Sequence, residues 1–152
     1  MINCVMRLKM IMGIGALMAL SLLPGCEPTL SDDPIPVTPF PDVFINLSQN
    51  LAIKTDGGYT YINDAGVRGI IVYRVNASSY LAFERNCSYR PNDACSTVDV
   101  DISGLYMIDP CCQSTFSFSN GLPTGGPAWR QLRQYETILS GNELIITDEI
   151  IQ

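Results

Sequence analysis

Between Asp109 and Leu132 the chain reads Asp-Pro-Cys-Cys-Gln-Ser-Thr-Phe-Ser-Phe-Ser-Asn-Gly-Leu-Pro-Thr-Gly-Gly-Pro-Ala-Trp-Arg-Gln-Leu. Two adjacent cysteines follow a proline, and a Phe, a turn and a Gly-Gly-Pro follow them. Glycine and proline at this density punctuate the backbone, so the stretch reads as loops and tight turns. Strands surround it. Asp42–Ser48 is a first strand with β-branched and aromatic residues, and Tyr59–Asn63 a second. Gly69–Val75 is an apolar run that predicts burial on both faces, with Tyr80–Glu84 returning as its partner. Asn50–Lys54 reads as a short helical turn or a loop. Ser96–Asp101 and Leu105–Ile108 predict a hairpin, and Leu132–Leu139 and Glu143–Thr147 predict closing strands, with 148–152 a short tail. No segment carries a sustained helical period, so the folded part is an all-β domain built from hairpins.

A second cysteine loop precedes the first in the chain: Asn86-Cys87-Ser88-Tyr89-Arg90-Pro91-Asn92-Asp93-Ala94-Cys95. Together the two loops resemble the paired cluster-binding boxes of Rieske iron–sulfur domains. The first of those boxes is Cys-x-His with a second Cys some residues later. The other is Cys-Pro-Cys-His-Gly-Ser-x-Phe, followed by a Gly turn, Gly-Pro-Ala and a Leu. By this resemblance Cys87 stands at a ligand cysteine and Tyr89 at a ligand histidine. Asp109 stands at the other ligand cysteine and Cys112 at the other ligand histidine. Cys95 and Cys111 take the places of the two non-ligand cysteines. The resemblance runs from about Asp42 to Thr147, and its most specific part is the frame from Phe116 to Leu132. It implies a Rieske-like fold of antiparallel sheets with a loop-rich subdomain.

The ligand set is altered. A Rieske cluster takes two Cys on one iron and two His on the other, and this chain has no histidine. Of the four ligand positions, Cys87, Tyr89, Asp109 and Cys112, only Cys87 matches the pattern. The expectation is therefore a former cluster site without a cofactor or metal. The alternative is an electron-transfer protein that keeps a [2Fe–2S] centre on unusual ligands. Ligation by Cys87, Cys95, Cys111 and Cys112 is conceivable on ligand count, but adjacent cysteines rarely present both sulfurs to one metal. Four cysteines in this region permit three disulfide pairings. The resemblance implies Cys95–Cys111, which leaves Cys87 and Cys112 facing one another, and a second disulfide is expected there.

The first residues look like an export signal. Arg7 and Lys9 precede an apolar run from Met10 to Leu23, too short for a membrane span of ~20 residues. Leu23-Pro24-Gly25-Cys26 resembles the lipobox of bacterial lipoproteins, which implies cleavage after residue 25 and a lipid on Cys26. More than one acyl chain gives stable anchoring. Residues 26–41 carry Pro28, Pro34, Pro36, Pro39 and Pro41 with Glu27, Asp32 and Asp33, and read as an extended acidic tether. The expected domain then spans residues 42–148, held at a membrane of the bacterial cell envelope, outer membrane or cell surface. Export also places the thiols where disulfides persist.

Charge and composition exclude other classes. Without Arg7 and Lys9 the 9 basic residues become 7 against the same 15 acids, so net charge moves from −6 to −8. Such a surface repels phosphate backbones, and nucleic acid is not an expected partner. Ser114 and Ser117 have no histidine base, and no catalytic residue is identified. Asp99, Asp101 and Asp109 reproduce no calcium-loop spacing and read as a solvated face. The expected role is an interaction or accessory module. Its partner surface lies on the Cys87–Cys95 and Asp109–Ser114 loops, with Tyr89 at the exposed tip.

Overall fold

A computed structural model describes residues 33–152. The export segment and Cys26 lie outside the described residues. Ten strands follow in order: β1 (Val43–Asn46), β2 (Tyr59–Ile62), β3 (Ile70–Asn76), β4 (Ser79–Glu84), β5 (Asp99–Val100), β6 (Met107–Asp109), β7 (Ser114–Phe116), β8 (Pro123–Gly125), β9 (Gln134–Ser140) and β10 (Glu143–Ile150). The Asn50–Lys54 segment holds a single 3-10 turn, Leu51–Ile53, capped by the Asn50 side chain. Among the described residues no helix is long and apolar enough to cross a membrane.

The strands form two antiparallel sheets. One has six strands in the order β1-β10-β9-β4-β3-β2, and the other has four in the order β5-β6-β7-β8. The small sheet lies entirely between β4 and β9 in the chain, so the loop-rich unit is an insertion into the larger sheet. Strands β3 and β4 join the two units. Side chains alternate across a strand, and here both faces are buried, as the apolar run predicts. Ile70, Val72, Tyr80 and Ala82 belong to one core with Tyr135, Leu144 and Ile146. Ile71 and Phe83, which pair across the strands, face the other way. They pack with Cys87, Val98, Met107, Phe116 and Leu132 under the inserted unit. The floor of the loops is thus the back of the main sheet.

The ends of the domain differ from the predicted ones. Strand β10 continues to Ile150, and Ile151 N–H donates to the Gln134 carbonyl at 2.9 Å, so the tail is part of the sheet. Residues 33–41, read as the end of the tether, lie against the domain. Phe40 sets its edge on the Tyr135 ring at 5.0 Å between centroids. Arg133 donates to the Ile35 and Pro36 carbonyls, and Arg130 to the Asp33 carbonyl at 2.8 Å. Residues 33–41 lie in no strand, so these carbonyls lack sheet partners, and the two guanidinium groups satisfy them.

Candidate functional site: two thiols and a buried carboxylate between two loops

The loop of residues 109–113 is a tight connection between β6 and β7. Asp109 and Ser114 are opposed in register, and Gln113 N–H donates to the Asp109 carbonyl at 2.8 Å. Closing so short a loop drives Gln113 to a φ of 63°. That left-handed region suits glycine, the residue the resembled box carries there. Arg90, in the facing loop, also has positive φ, 47°. Left-handed non-glycine residues store strain and cluster at working sites.

The facing loop, residues 86–96, is held from outside. Arg68 Nε donates to Asn86 Oδ1 at 2.7 Å, while its terminal nitrogens reach the Ala94 carbonyl at 2.8 Å and the Asp93 carbonyl at 2.6 Å. Ser88 Oγ donates to the Arg130 carbonyl at 2.5 Å, and Arg130 donates back to the Ser88 carbonyl at 2.7 Å. The Cys95–Cys111 disulfide, implied by the resemblance, joins the two loops.

This clamp brings Cys87, Asp109 and Cys112 together, their donor atoms all within 4.8 Å of one another. The Cys87 and Cys112 sulfurs stand 3.9 Å apart and unbonded. The second disulfide expected from the sequence is not formed in this structure. The Cys112 thiol instead meets Asp109 Oδ2 at 3.2 Å and Ser114 Oγ at 3.0 Å. Ser114 Oγ also accepts from Ala128 N–H at 3.0 Å, tying the Gly-Gly-Pro segment to the site. Asp109 is fully buried, and its Oδ1 accepts from Cys111 N–H at 2.8 Å. Burial first, and the neighbouring Asp109 carboxylate next, push the Cys87 thiol far above the ordinary thiol range; the Tyr89 backbone N–H opposes them. Burial also raises Cys112, against hydrogen bonds from Ser114. Without a cation both groups are therefore thiols at neutral pH.

The pocket over these donors has a volume of about 340 Å³ and is lined by Tyr89, Arg90, Asp93, Ser96, Asp109, Cys111, Cys112 and Pro127. Tyr89 is not at an exposed tip. It is partly buried against the second core, with the Arg90 guanidinium 5.5 Å above its ring. The acidic trio is dispersed. Asp99 pairs with Arg85, Asp101 caps the turn at Ser103, and only Asp109 reaches the pocket.

The expectation of no cofactor or metal is corrected by this geometry. Three of the four positions that the resemblance sets at cluster ligands, Cys87, Asp109 and Cys112, converge as a donor set that can hold a metal ion. The sequence suggested absence because the imidazoles are gone. It gave no distances, and Cys112, standing where the resembled box has a histidine, brings a thiol to the site. The donors do not fit a Rieske two-iron cluster, which takes imidazoles on its second iron. Sequence reasoning missed Arg68, Ser114's bond to Cys112, and Arg130. An arginine 18 residues from its partner Asn86 leaves no local signature.

The arrangement is the all-β, Rieske-like one: a base sheet carrying a loop-rich unit with two apposed, disulfide-linked loops. No family model matches the chain, and no curated protein matches it. Solved structures similar to it include the following three. The plasma membrane Rieske protein PetC3 of the cyanobacterium Synechocystis PCC 6803 is 22% identical, with TM-score 0.45, over 59% of this chain and 84% of that one. A chain in the complex of reduced oxygenase and oxidized ferredoxin in carbazole 1,9a-dioxygenase is 21% identical, with TM-score 0.49, over 72% and 96%. The ferredoxin of carbazole 1,9a-dioxygenase from Nocardioides aromaticivorans IC177 is 18% identical, with TM-score 0.46, over 74% and 98%.

Proposed function

We propose that the protein is a lipid-anchored component of the bacterial envelope whose Rieske-like domain binds a metal centre between its two loops and presents it to a protein partner. The observation that carries the metal-binding part is the convergence of Cys87, Asp109 and Cys112 within 4.8 Å. A fully buried carboxylate that pairs with no Lys or Arg among the described residues is costly, and a bound cation offsets that cost. The basic residues before a short apolar run, and the Leu-Pro-Gly-Cys that follows, support lipidation of Cys26. The partner would meet the rim of the pocket, where Arg90 is exposed and Trp129 is 48% exposed beside Arg130.

Two measurements test this reading. The full chain expressed in a bacterium should incorporate labelled fatty acid, and Cys26→Ala should abolish the label. Protein purified from the membrane should carry transition metal that Cys87→Ser with Cys112→Ser removes. Equal, background metal in both proteins would overturn the metal-binding role. Label retained by Cys26→Ala would overturn the anchor.

A further inference from the structure

The spacing of the donors specifies the kind of centre. Two sulfurs bound to one tetrahedral ion with metal–sulfur bonds of ~2.3 Å are separated by about 3.8 Å. The observed separation is 3.9 Å. The third donor is close to the same arrangement, with Asp109 Oδ2 at 3.2 Å from the Cys112 sulfur. Two of the three donor separations thus match one coordination sphere, and all three donors lie within 4.8 Å of one another. A two-iron cluster needs a second pair of donors, and Tyr89, at the fourth former ligand position, packs its ring against the second core.

Resting on the metal-binding role proposed for this pocket, we infer that the site takes a single tetrahedral divalent ion. Cys87 Sγ, Cys112 Sγ and one Asp109 oxygen bind it, and its fourth position opens to the pocket. Two thiolates select a soft or borderline ion of the zinc type over magnesium or calcium. Three protein ligands with an open fourth position make an exchangeable site that binds water or a small ligand, unlike a closed structural one. On binding, two S–H bonds break, two metal–sulfur bonds form, and both protons leave to water; no electron is transferred. The two thiolates and the carboxylate then carry three negative charges against the ion's two positive ones.

The surroundings are built for such an ion. Cys111 N–H occupies Asp109 Oδ1, which leaves Oδ2 turned to the sulfurs. Partners of this kind orient the ligands of metal sites. The Cys95–Cys111 bridge holds the two loops at this distance before any ion arrives. A bound ion also protects two neighbouring thiols in a compartment where disulfides persist.

The test uses the full chain, isolated anaerobically in detergent, with metal, acid-labile sulfide and free thiols counted. Apo protein is then titrated with Co²⁺ and competed with Zn²⁺. The expected result is one ion per chain, no acid-labile sulfide, a thiolate-to-cobalt charge-transfer band that saturates at one equivalent, and its loss on adding Zn²⁺. Cys112→Ser and Asp109→Asn each remove a direct ligand, and each should weaken binding by more than the roughly tenfold to hundredfold that loss of a supporting outer-shell partner costs. The Cys95–Cys111 peptide in a non-reduced digest verifies that each variant has folded. Two irons with two labile sulfides per chain would overturn the single ion and uphold the metal-binding role. No binding of Co²⁺, Zn²⁺ or iron, or a Cys87–Cys112 disulfide in the isolated protein, would overturn both.

Discussion

Two buried carboxylates flank the join between the sheets, and they are satisfied in opposite ways. Glu84 accepts from four donors: Val67 N–H at 2.8 Å, Arg68 N–H at 3.0 Å, Asn86 N–H at 2.9 Å and the Tyr135 hydroxyl at 2.8 Å. Asp109 has one backbone N–H and two thiols. Glu84 is therefore a structural hub, and Asp109 is the carboxylate with capacity left for a ligand. Replacing Glu84 by Gln turns an amide N–H₂ toward N–H donors that lose their acceptor. The expected cost is about 2–4 kcal/mol, read as a lower denaturant midpoint, with metal stoichiometry unchanged. Ser114→Ala acts differently. It leaves the buried Ala128 N–H without its acceptor and removes the Ser114 Oγ to which the Cys112 thiol donates. Metal affinity should fall by roughly tenfold in a cobalt titration, with stability reduced by about 1–2 kcal/mol.

The elements that hold these residues were unevenly legible in the sequence. Strands β3 and β4 were plain, because an apolar run with β-branched residues has few ways to be buried other than on both faces of a sheet. The two loops were placed by their cysteines and the Gly-Pro segment. Strands β7 and β8 were not foreseen. Ser-Thr-Phe and Pro-Thr-Gly have little strand character, and they pair because β6 and the 109–113 turn lay them alongside. The donor distances were beyond sequence reading, since they depend on how the Cys95–Cys111 bridge and Arg68 draw the loops together. Removing that bridge by Cys95→Ala with Cys111→Ala should cost roughly 3 kcal/mol in the chain-entropy account, measured by denaturation under matched conditions. Gly126 is a second clasp. Its φ is +78°, and a Cβ there would stand 2.5 Å from Ser114 Cα and 2.6 Å from the Gln113 carbonyl oxygen. Backbone cannot yield as a flexible side chain does. Gly126→Ala should both destabilise the domain, by about 2 kcal/mol or more, and abolish the cobalt band by displacing the 109–113 turn.

At the scale of the whole molecule, Tyr135 ties the main sheet, the tether end and Glu84 into one unit, and it makes stability depend on pH. Burial first, then the Glu84 carboxylate, raise its phenol well above the ordinary value. An unfolded tyrosine ionises near pH ~10, while the native one keeps its proton to higher pH. The native state then binds more protons than the unfolded one, so stability is intact below pH ~10 and falls as pH rises beyond it. Denaturation midpoints at pH 8 and pH 10.5 should show this decline, and Tyr135→Phe should make it shallower. The Arg130 clasp has a different consequence. One of its nitrogens holds the Asp33 carbonyl and the other the Ser88 carbonyl, so the chain leaves the domain beside the first cysteine loop. Six residues separate Cys26 from Asp33, a reach of about 25 Å when fully extended. With the lipid proposed on Cys26, the pocket is on a short leash at the bilayer surface. A partner held at the same membrane would then meet it at a high effective concentration.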